Sequence, residues 1–389
     1  MNLRWFATAI ALAASIAGAS ACATHAPSGP IRAPVEITFE RGGQGHIVIP
    51  VTVEGVEGFA MLDNGASASV ISREFATEQG IAHGPIARTL IKTVTSGYEL
   101  GQTAVISIGG IEEKVTPLLL DTELLSMAAG KSVLGVVGEE FFERHVVELD
   151  FAAHKMILHD RRTYTPPEGF AGLRLKSATT AKTMIPASVD GKAGFEITFD
   201  VGSSSIAMID EGKISEGWLA EGRPWTPAGS GIVRGGEFEK SDDKLMTARS
   251  IEFAGFSLND VPTTVMPKGF IAPADVSLGV NALERFHLIF DVGGRRLWIG
   301  TNEGFDKPFR HRLVGVSWTA ASQTGALEVS TVARNSPAEA AGLRKGDVIV
   351  KLAGQAATVE AFSALKAGDL LELELKDGTT RRLTAARFY

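Results

Sequence analysis

An internal repeat constrains the fold of this 389-residue chain more than any other feature of its sequence. Segments 49–59 and 185–195 share the pattern Ile-Pro-x-x-Val-acid-Gly-x-x-Gly-Phe. Further along, segments 137–144 and 278–285 also align, and each is followed by an apolar run that ends in an aspartate. The chain therefore contains one duplicated unit, and two copies predict a pair of packed lobes rather than a solenoid of many repeats.

Each copy carries an aspartate at the end of an apolar strand. Residues 59–62 run into Asp63 and residues 195–199 run into Asp200, and a turn of small residues follows in both copies. The glycine two positions after each aspartate permits a tight turn that would leave the carboxylate open to a ligand. Short alternating apolar runs broken by glycine indicate a mainly β fold, with predicted strands that include 47–53 and a returning strand at 59–62.

The paired motif, hydrophobic-hydrophobic-Asp-x-Gly-[Ala/Ser]-Ser, resembles that of the aspartic peptidases. Each copy is similar to a retropepsin-like bacterial aspartyl protease domain, and the two fused copies resemble a pepsin-like enzyme with two lobes. The resemblance covers roughly residues 36–305. It implies a mainly β fold with two homologous acid-protease β-barrel lobes, in which Asp63 and Asp200 are catalytic and polypeptides are the substrates.

Two carboxylates that reach one water can hydrolyse a peptide bond without a metal or cofactor. Like charges that close resist joint ionisation, so one carboxyl stays protonated while the other is ionised. The ionised member takes a proton from the water, and the protonated member polarises the substrate carbonyl. Such a pair titrates as a unit, so Asp63 and Asp200 receive no separate roles. Alternatively, both aspartates serve only the geometry of the turns.

The residues after each aspartate would position its carboxylate. The predicted active-site loops comprise Asn64, Gly65, Ala66, Ser67, Val201, Gly202, Ser203 and Ser204. The family usually has Thr or Ser directly after the catalytic aspartate, where the hydroxyl bonds across the two loops. Asn64 and Val201 stand there in this chain. Because valine neither donates nor accepts a hydrogen bond, the sequence predicts carboxylates that are held less rigidly.

Two further features of the first copy bear on the site. Gly138 follows an apolar run and would let that strand approach the first loop closely. By the resemblance, a hairpin flap falls within residues 88–108, and Tyr98 near its tip would help to hold substrate. The alternative for Tyr98 is an ordinary exposed aromatic residue of a turn.

The end of the chain carries a different signature. The run Ser-Pro-Ala-x-x-Ala-Gly-Leu-x-x-Gly-Asp-x-Ile at 336–349 resembles a bacterial PDZ domain over about residues 312–389. This implies a small β-barrel with two helices that takes an extended peptide beside a sheet edge. Segment 313–316 matches the carboxylate-binding loop in part, which leaves the capture of free C-termini open. The alternative is a packing domain that binds nothing.

The first 21 residues predict a secretory signal peptide, with a basic start, a short apolar stretch and small residues before the break. The only cysteine, Cys22, follows directly. The pattern favours a bacterial lipoprotein signal, with Cys22 as the lipid attachment site that anchors the protein in the periplasm or cell envelope. An incidental thiol beyond an ordinary cleavage site is the alternative. Residues 22–35 would form a tether.

The net charge of −7, without a Lys/Arg cluster, argues against a nucleic-acid partner. No His-Glu-x-x-His or paired-cysteine signature occurs, so neither a metal nor a cofactor is predicted.

In chain order, the predicted units are a signal peptide at 1–21, a tether at 22–35, a first lobe at 36–160, a linker at 161–172, a second lobe at 173–305 and a PDZ domain at 312–389. We expect an aspartic endopeptidase of the cell envelope whose PDZ domain docks substrate or partner. The alternative is a weak or inactive peptide-binding envelope lipoprotein.

Overall fold

A computed structural model describes residues 31, 33–42, 45–81, 83–84, 99–176, 184–214, 225–227, 231–234, 237–240, 243–321, 326–358, 361–362 and 364–389. These residues form a mainly β structure with two larger units and a small C-terminal sheet. The predicted signal peptide, Cys22 and Tyr98 lie outside the described residues. No helix within the described ranges is long and apolar enough to cross a membrane.

The first copy of the repeat contributes short strands and three short helices. They are β1 (Val35–Thr38), β2 (Glu40–Arg41), β3 (Ile47–Val53), β4 (Val56–Leu62), β5 (Val70–Ser72), α1 (Arg73–Glu78), β6 (His83–Gly84), β7 (Glu99–Gly101), β8 (Ala104–Ile108), β9 (Ile111–Val115), β10 (Leu118–Leu120), α2 (Glu123–Ala129), β11 (Gly135–Val137), α3 (Glu139–Arg144), β12 (Val146–Asp150) and β13 (Lys155–His159). The predicted strand at 47–53 is confirmed as β3.

The main sheet of the first copy is an open half-barrel. Its order is β6-β7-β10-β5-β11-β4-β3-β8-β9, with β2 beside β3, and among the described residues β6 and β9 do not pair with each other. The expectation of two closed barrels is therefore wrong for this copy as described. Closure into a barrel would require hydrogen bonds between these two edge strands.

The second copy is built mainly from strands as well. It comprises β14 (Ala171–Arg174), β15 (Ile185–Val189), β16 (Lys192–Asp200), β17 (Ala207–Asp210), a 3-10 helix (Glu211–Lys213), β18 (Thr226–Pro227), β19 (Gly231–Arg234), β20 (Glu237–Lys240), β21 (Lys244–Phe253), β22 (Phe256–Met266), β23 (Val276–Gly279), α4 (Val280–Leu283), β24 (Phe286–Asp291) and β25 (Arg296–Thr301). Here the ladder β15-β16-β23-β17-β22-β21 returns to β15, so this copy closes into a six-stranded barrel.

The two copies share a third sheet with the order β1-β13-β12-β24-β25-β14, three strands from each copy. In this sheet Glu148 pairs directly with Ile289, and these two residues are equivalent in the sequence repeat. A local two-fold axis therefore passes between β12 and β24. One core of buried apolar side chains runs through both copies and includes Phe142, Phe199 and Phe290.

The predicted tether does not stay separate from the fold along its whole length. Ile31 is 8% exposed and belongs to the same core. The first strand already begins at Val35. The last residues of the segment 22–35 thus pack on the first copy.

The C-terminal unit is a separate sheet with its own apolar core. Its elements are β26 (Val316–Ala321), β27 (Ala326–Val332), α5 (Pro337–Ala340), β28 (Val348–Leu352), β29 (Gln355–Ala356), β30 (Leu370–Leu375) and β31 (Thr380–Thr384). Ser336 caps α5 and accepts a hydrogen bond from Glu339 N, as a serine before Pro at the first helical position predicts. Strand β26 lies at one end of the sheet order β26-β27-β28-β30-β31.

This unit is docked on the second copy through the last residues of the chain. Phe388 and Tyr389 form an apolar cluster with Leu245 of β21. Beside them, Arg387 donates to both carboxylate oxygens of Asp260, each at 2.8 Å. The C-terminus therefore fixes the orientation of the small sheet relative to the second copy.

Candidate active site and peptide-binding loop

In both copies the same arrangement of three strands, called here the strand crossing, positions the aspartate. In the first copy, β4 runs parallel to β11, and β11 then pairs antiparallel with β5, the strand that follows the Asp63 loop. In the second copy, β16 runs parallel to β23, and β23 pairs antiparallel with β17, the strand that follows the Asp200 loop. Each aspartate therefore ends a strand beside the middle strand of its crossing.

A glycine at the end of each middle strand permits this crossing. A Cβ atom on Gly138 would lie 2.6 Å from the backbone carbon of Ala68, and one on Gly279 would lie 2.4 Å from the carbonyl oxygen of Ser205. Contacts that short do not occur, so a side chain is excluded at both positions. The predicted close approach at Gly138 is confirmed, and Gly279 repeats it in the second copy.

The structure brings the two loops together, with each carboxylate over the glycine of the other loop. A Cβ atom on Gly202 would lie 2.0 Å from Asp63 Cγ. A Cβ atom on Gly65 would lie 3.0 Å from Asp200 Oδ1. Asp63 and Asp200, which are 137 positions apart in the sequence, thus belong to one compact site.

Backbone amides orient both carboxylates in the same way. Asp63 Oδ1 accepts hydrogen bonds from Gly65 N at 2.7 Å and Ala66 N at 3.0 Å. Asp200 Oδ1 accepts from Gly202 N at 3.0 Å and Ser203 N at 3.1 Å. Hydrogen bonds to a carboxylate favour its charged form, and here they fix one oxygen of each group.

Asn64 connects the two loops. This contact was not predicted from the sequence. Its Nδ2 donates to the carbonyl oxygen of Phe199 at 2.7 Å, and its Oδ1 accepts from Val201 N at 2.8 Å. One amide side chain therefore serves both a donor and an acceptor of the opposite loop. The expectation that Asn64 and Val201 leave the dyad loosely held overlooked this double use of one amide.

The other loop residues differ between the copies. Val201 is fully buried and packs in the shared core, and Ala66 is buried in a neighbouring apolar cluster. The Ser203 hydroxyl donates to Ser205 Oγ at 2.9 Å, so its hydrogen bond stays within its own loop.

Two more serines complete the loops. The Ser67 hydroxyl is buried and has no hydrogen-bond partner among the described residues. Ser204 receives support from outside its loop, because its carbonyl oxygen accepts from Asn281 Nδ2 at 2.6 Å. Ser69, just beyond the first loop, is supported in a related way, since its amide donates to Glu140 Oε1 at 2.7 Å. Glu140 and Asn281 are equivalent in the repeat.

The two carboxylates differ in their access to solvent. Asp63 is 2% exposed, whereas Asp200 is partly exposed. A small cavity of about 20 Å³, lined by Gly65, Asp200 and Ser277 among others, adjoins the exposed member. A space of that size holds about one water molecule. Water therefore has a place beside Asp200.

His46 is a residue of the site that sequence reasoning missed. Its imidazole is 0% exposed, and the ring lies next to the backbone of Gly202 in the opposite copy. Burial, assisted by the positive charge of Arg41, lowers the pKa of His46 to about 4. No sequence signal marks this histidine, because its partner segment lies more than 150 positions away.

Among the described residues, no group of three or more His, Cys, Asp or Glu side chains could hold a metal ion. The predicted flap tip with Tyr98 stays a prediction, since residues 85–98 lie outside the described ranges.

A loop of the C-terminal unit presents three backbone amides away from its sheet. The carbonyl oxygens of Leu313, Val314 and Gly315 accept from Ala386 N at 2.9 Å, Ala338 N at 3.0 Å and Ala333 N at 2.8 Å. In a trans peptide the N–H points opposite to the C=O, so the N–H groups of residues 314–316 point away from these partners. Successive outward amides bind carboxylates well. This geometry bears on the question of free C-termini, which the partial sequence match left open.

The PDZ domain family matches residues 328–376. The chain carries a C-terminal PDZ domain. A PDZ domain implies the binding of peptide strands, and β26 offers a sheet edge for such a strand. None of the curated proteins matches the chain.

Proposed function

We propose that the chain is an aspartic endopeptidase in which Asp63 and Asp200 activate a shared water molecule, while the PDZ domain docks the polypeptide. The observation that supports this most is the crossed packing of the two loops, with Asp63 over Gly202 and Asp200 over Gly65. Turn geometry alone does not require aspartates from two copies to converge. Paired carboxylates at one point are what general acid–base hydrolysis of a peptide bond needs.

In the proposed mechanism the loop amides hold one oxygen of each carboxylate, and the second oxygen of each contacts the water. The pair shares one proton, because two like charges that close resist joint ionisation. Water enters on the side of Asp200, the more exposed member. The ionised carboxylate takes a proton from the attacking water, and the protonated one donates to the carbonyl oxygen and then to the leaving amine.

The proposal includes a location in the bacterial cell envelope. It rests on the sequence of residues 1–21, which has the three regions of a secretory signal, and on Cys22 directly after it. Lipid on Cys22 would keep the enzyme at the membrane, where unfolded or membrane-bound polypeptides are its substrates.

Digestion of an unfolded protein tests the catalytic part. We expect cleavage by the wild-type chain and a loss of at least about 100-fold in Asp63→Asn and in Asp200→Asn. Asp150→Asn is the matched control, since Asp150 also ends a strand and accepts a hydrogen bond in its turn, from Ala153 N, but lies outside the two loops. Equal cleavage by all four proteins would overturn the assignment of the dyad.

The burial of Asp63 favours one second candidate, a peptide-binding protein without turnover. A carboxylate that is 2% exposed is hard for a shared water to reach. This candidate predicts that the wild-type chain binds unfolded polypeptide and never cleaves it between acid and neutral pH. Mass spectrometry of the incubated polypeptide separates the two candidates directly.

A further inference from the structure

A cavity of about 990 Å³ lies where the PDZ domain meets the two copies of the repeat. Its PDZ wall includes the loop from Leu313 to Ser317 together with Phe362. Its opposite wall includes Arg41 of the first copy and Asn281 of the second. The outward amides of residues 314–316 thus stand at the edge of a space that the PDZ domain alone does not enclose.

The charges on the cavity wall are mainly positive. Arg41 lines it but is paired with Glu284 at 3.1 Å, so these two charges offset each other. The segment that joins the second copy to the PDZ domain adds three cations, Lys307, Arg310 and Arg312, against one carboxylate, Glu303. These three side chains are exposed and form no ion pair among the described residues.

The backbone of the joining segment is held in place, so the positions from which its basic side chains extend are fixed. Arg285 donates to the carbonyl oxygens of Gly304 at 3.1 Å and Phe305 at 3.2 Å, and also to that of Lys307. Its guanidinium lies over the ring of Phe309, 3.8 Å from the centroid. At the far end, Arg312 N donates to the hydroxyl of Tyr389 at 3.0 Å. Basic side chains therefore stand beside the peptide loop as a built feature of the fold.

We propose that this cavity binds the C-terminal end of polypeptides in which acidic residues directly precede the last residue. The terminal carboxylate lies on the amides of residues 314–316, the chain extends along β26, and Asp or Glu side chains pair with Lys307, Arg310 and Arg312. This inference rests on the proposed peptide docking by the PDZ domain and names the partner for it. Electrostatic complementarity of this kind selects among peptides more than it raises overall affinity.

Fluorescence anisotropy on the full chain carrying Asp200→Asn, which prevents cleavage, tests the proposal. Three labelled octapeptides share a final Leu and differ before it: one ends in Glu-Asp-Glu-Leu, one in Lys-Arg-Lys-Leu, and the third is the acidic peptide with a C-terminal amide. We expect the acidic peptide with a free carboxylate to bind at least about tenfold more tightly than either of the others.

Charge reversal locates the binding site. Arg310→Glu and Arg312→Glu together should weaken binding of the acidic peptide at least about tenfold and reduce its preference over the basic one. Arg344→Glu is the matched control, because Arg344 is an exposed arginine of the same domain that does not line the cavity. It should change the affinity less than about twofold.

Equal affinity for the acidic and basic peptides, or an equal effect of Arg344→Glu, would overturn the inference while leaving peptide docking intact. Binding of none of the three peptides would overturn both this inference and docking by the PDZ domain. Neither result tests the proposed catalytic role of Asp63 and Asp200, which the digestion experiment tests separately.

Discussion

The two aspartate loops have the same turn but differ in the contacts that they make and in the exposure of their carboxylates. In both, the amides two and three positions after the aspartate hold one carboxylate oxygen. The connection between the loops, however, comes from Asn64, while Val201 at the equivalent position is fully buried and packs in the core. The first copy supplies the connection and the second supplies the more exposed carboxylate. Duplicated units can thus divide a symmetric task between them.

The largest effect should come from removing the connection at Asn64. Asn64→Ala removes the hydrogen bonds that this side chain makes with Phe199 O and Val201 N, both inside the protein, so we expect a loss of about 3 kcal/mol in the free energy of unfolding. Val201→Thr should not compensate, because its hydroxyl would enter an apolar environment, at a cost of about 1 kcal/mol. Urea denaturation measures both. A stabilising Val201→Thr would show that the second loop can also supply the connection.

The glycines offer a second contrast between the loops. Gly202→Ala would place a methyl 2.0 Å from Asp63 Cγ, whereas Gly65→Ala would place one 3.0 Å from Asp200 Oδ1. Since misplacement of a reacting group by about 1 Å costs about 100-fold, Gly202→Ala should lower cleavage by that factor and Gly65→Ala by about tenfold. Steady-state kinetics should show the loss in kcat. The reverse order would contradict the crossed packing.

Buried His46 makes the stability of the fold depend on pH. Its pKa in the folded state is lowered to about 4 from the usual 6.5, so the unfolded chain binds more protons between these values. Stability then rises with pH across this window, and about 2 kcal/mol should be lost on going from about pH 7 to pH 5.

Replacement of this histidine removes the effect. His46→Leu should show a flatter dependence of the free energy of unfolding on pH than the wild type, measured by urea denaturation at several pH values. An unchanged slope would mean that His46 does not titrate in this window and that another group is responsible.

The smallest effect should come from Ser203, which stands where the first loop has Ala66. Ser203→Ala removes the hydrogen bonds with Ser205, and we expect a loss of about 1 kcal/mol in stability with little change in cleavage. Thermal unfolding and kinetics check this. A loss of activity comparable to that of Asp200→Asn would mean that the hydroxyl acts on the carboxylate itself.

The sequence predicted those features that local chemistry decides. The repeat indicated two packed copies, alternation placed β3 at Ile47–Val53, and Gly138 marked a close approach between backbones. Each of these follows from a few neighbouring residues or from a comparison of the chain with itself. The PDZ domain was also recognised from a local run, 336–349, and is confirmed.

What the sequence did not predict depends on residues far apart along the chain. The two bonds of Asn64 join backbone groups 135 and 137 positions away. The burial of His46 beside Gly202 needs the same interface. Whether a sheet closes depends on the pairing of strands far apart in the chain, such as β15 with β21 in the second copy. Such features require the register between the two copies, which was not visible in the sequence.

The central claim is that Asp63 and Asp200 act on one shared water, and a bound transition-state mimic tests it most directly. A peptide in which a secondary alcohol replaces the scissile amide would be soaked into crystals of the wild-type chain. The account predicts that its hydroxyl lies about 3 Å from a carboxylate oxygen of both aspartates. A hydroxyl that contacts only Asp200, with Asp63 still buried beneath Gly202, would contradict it.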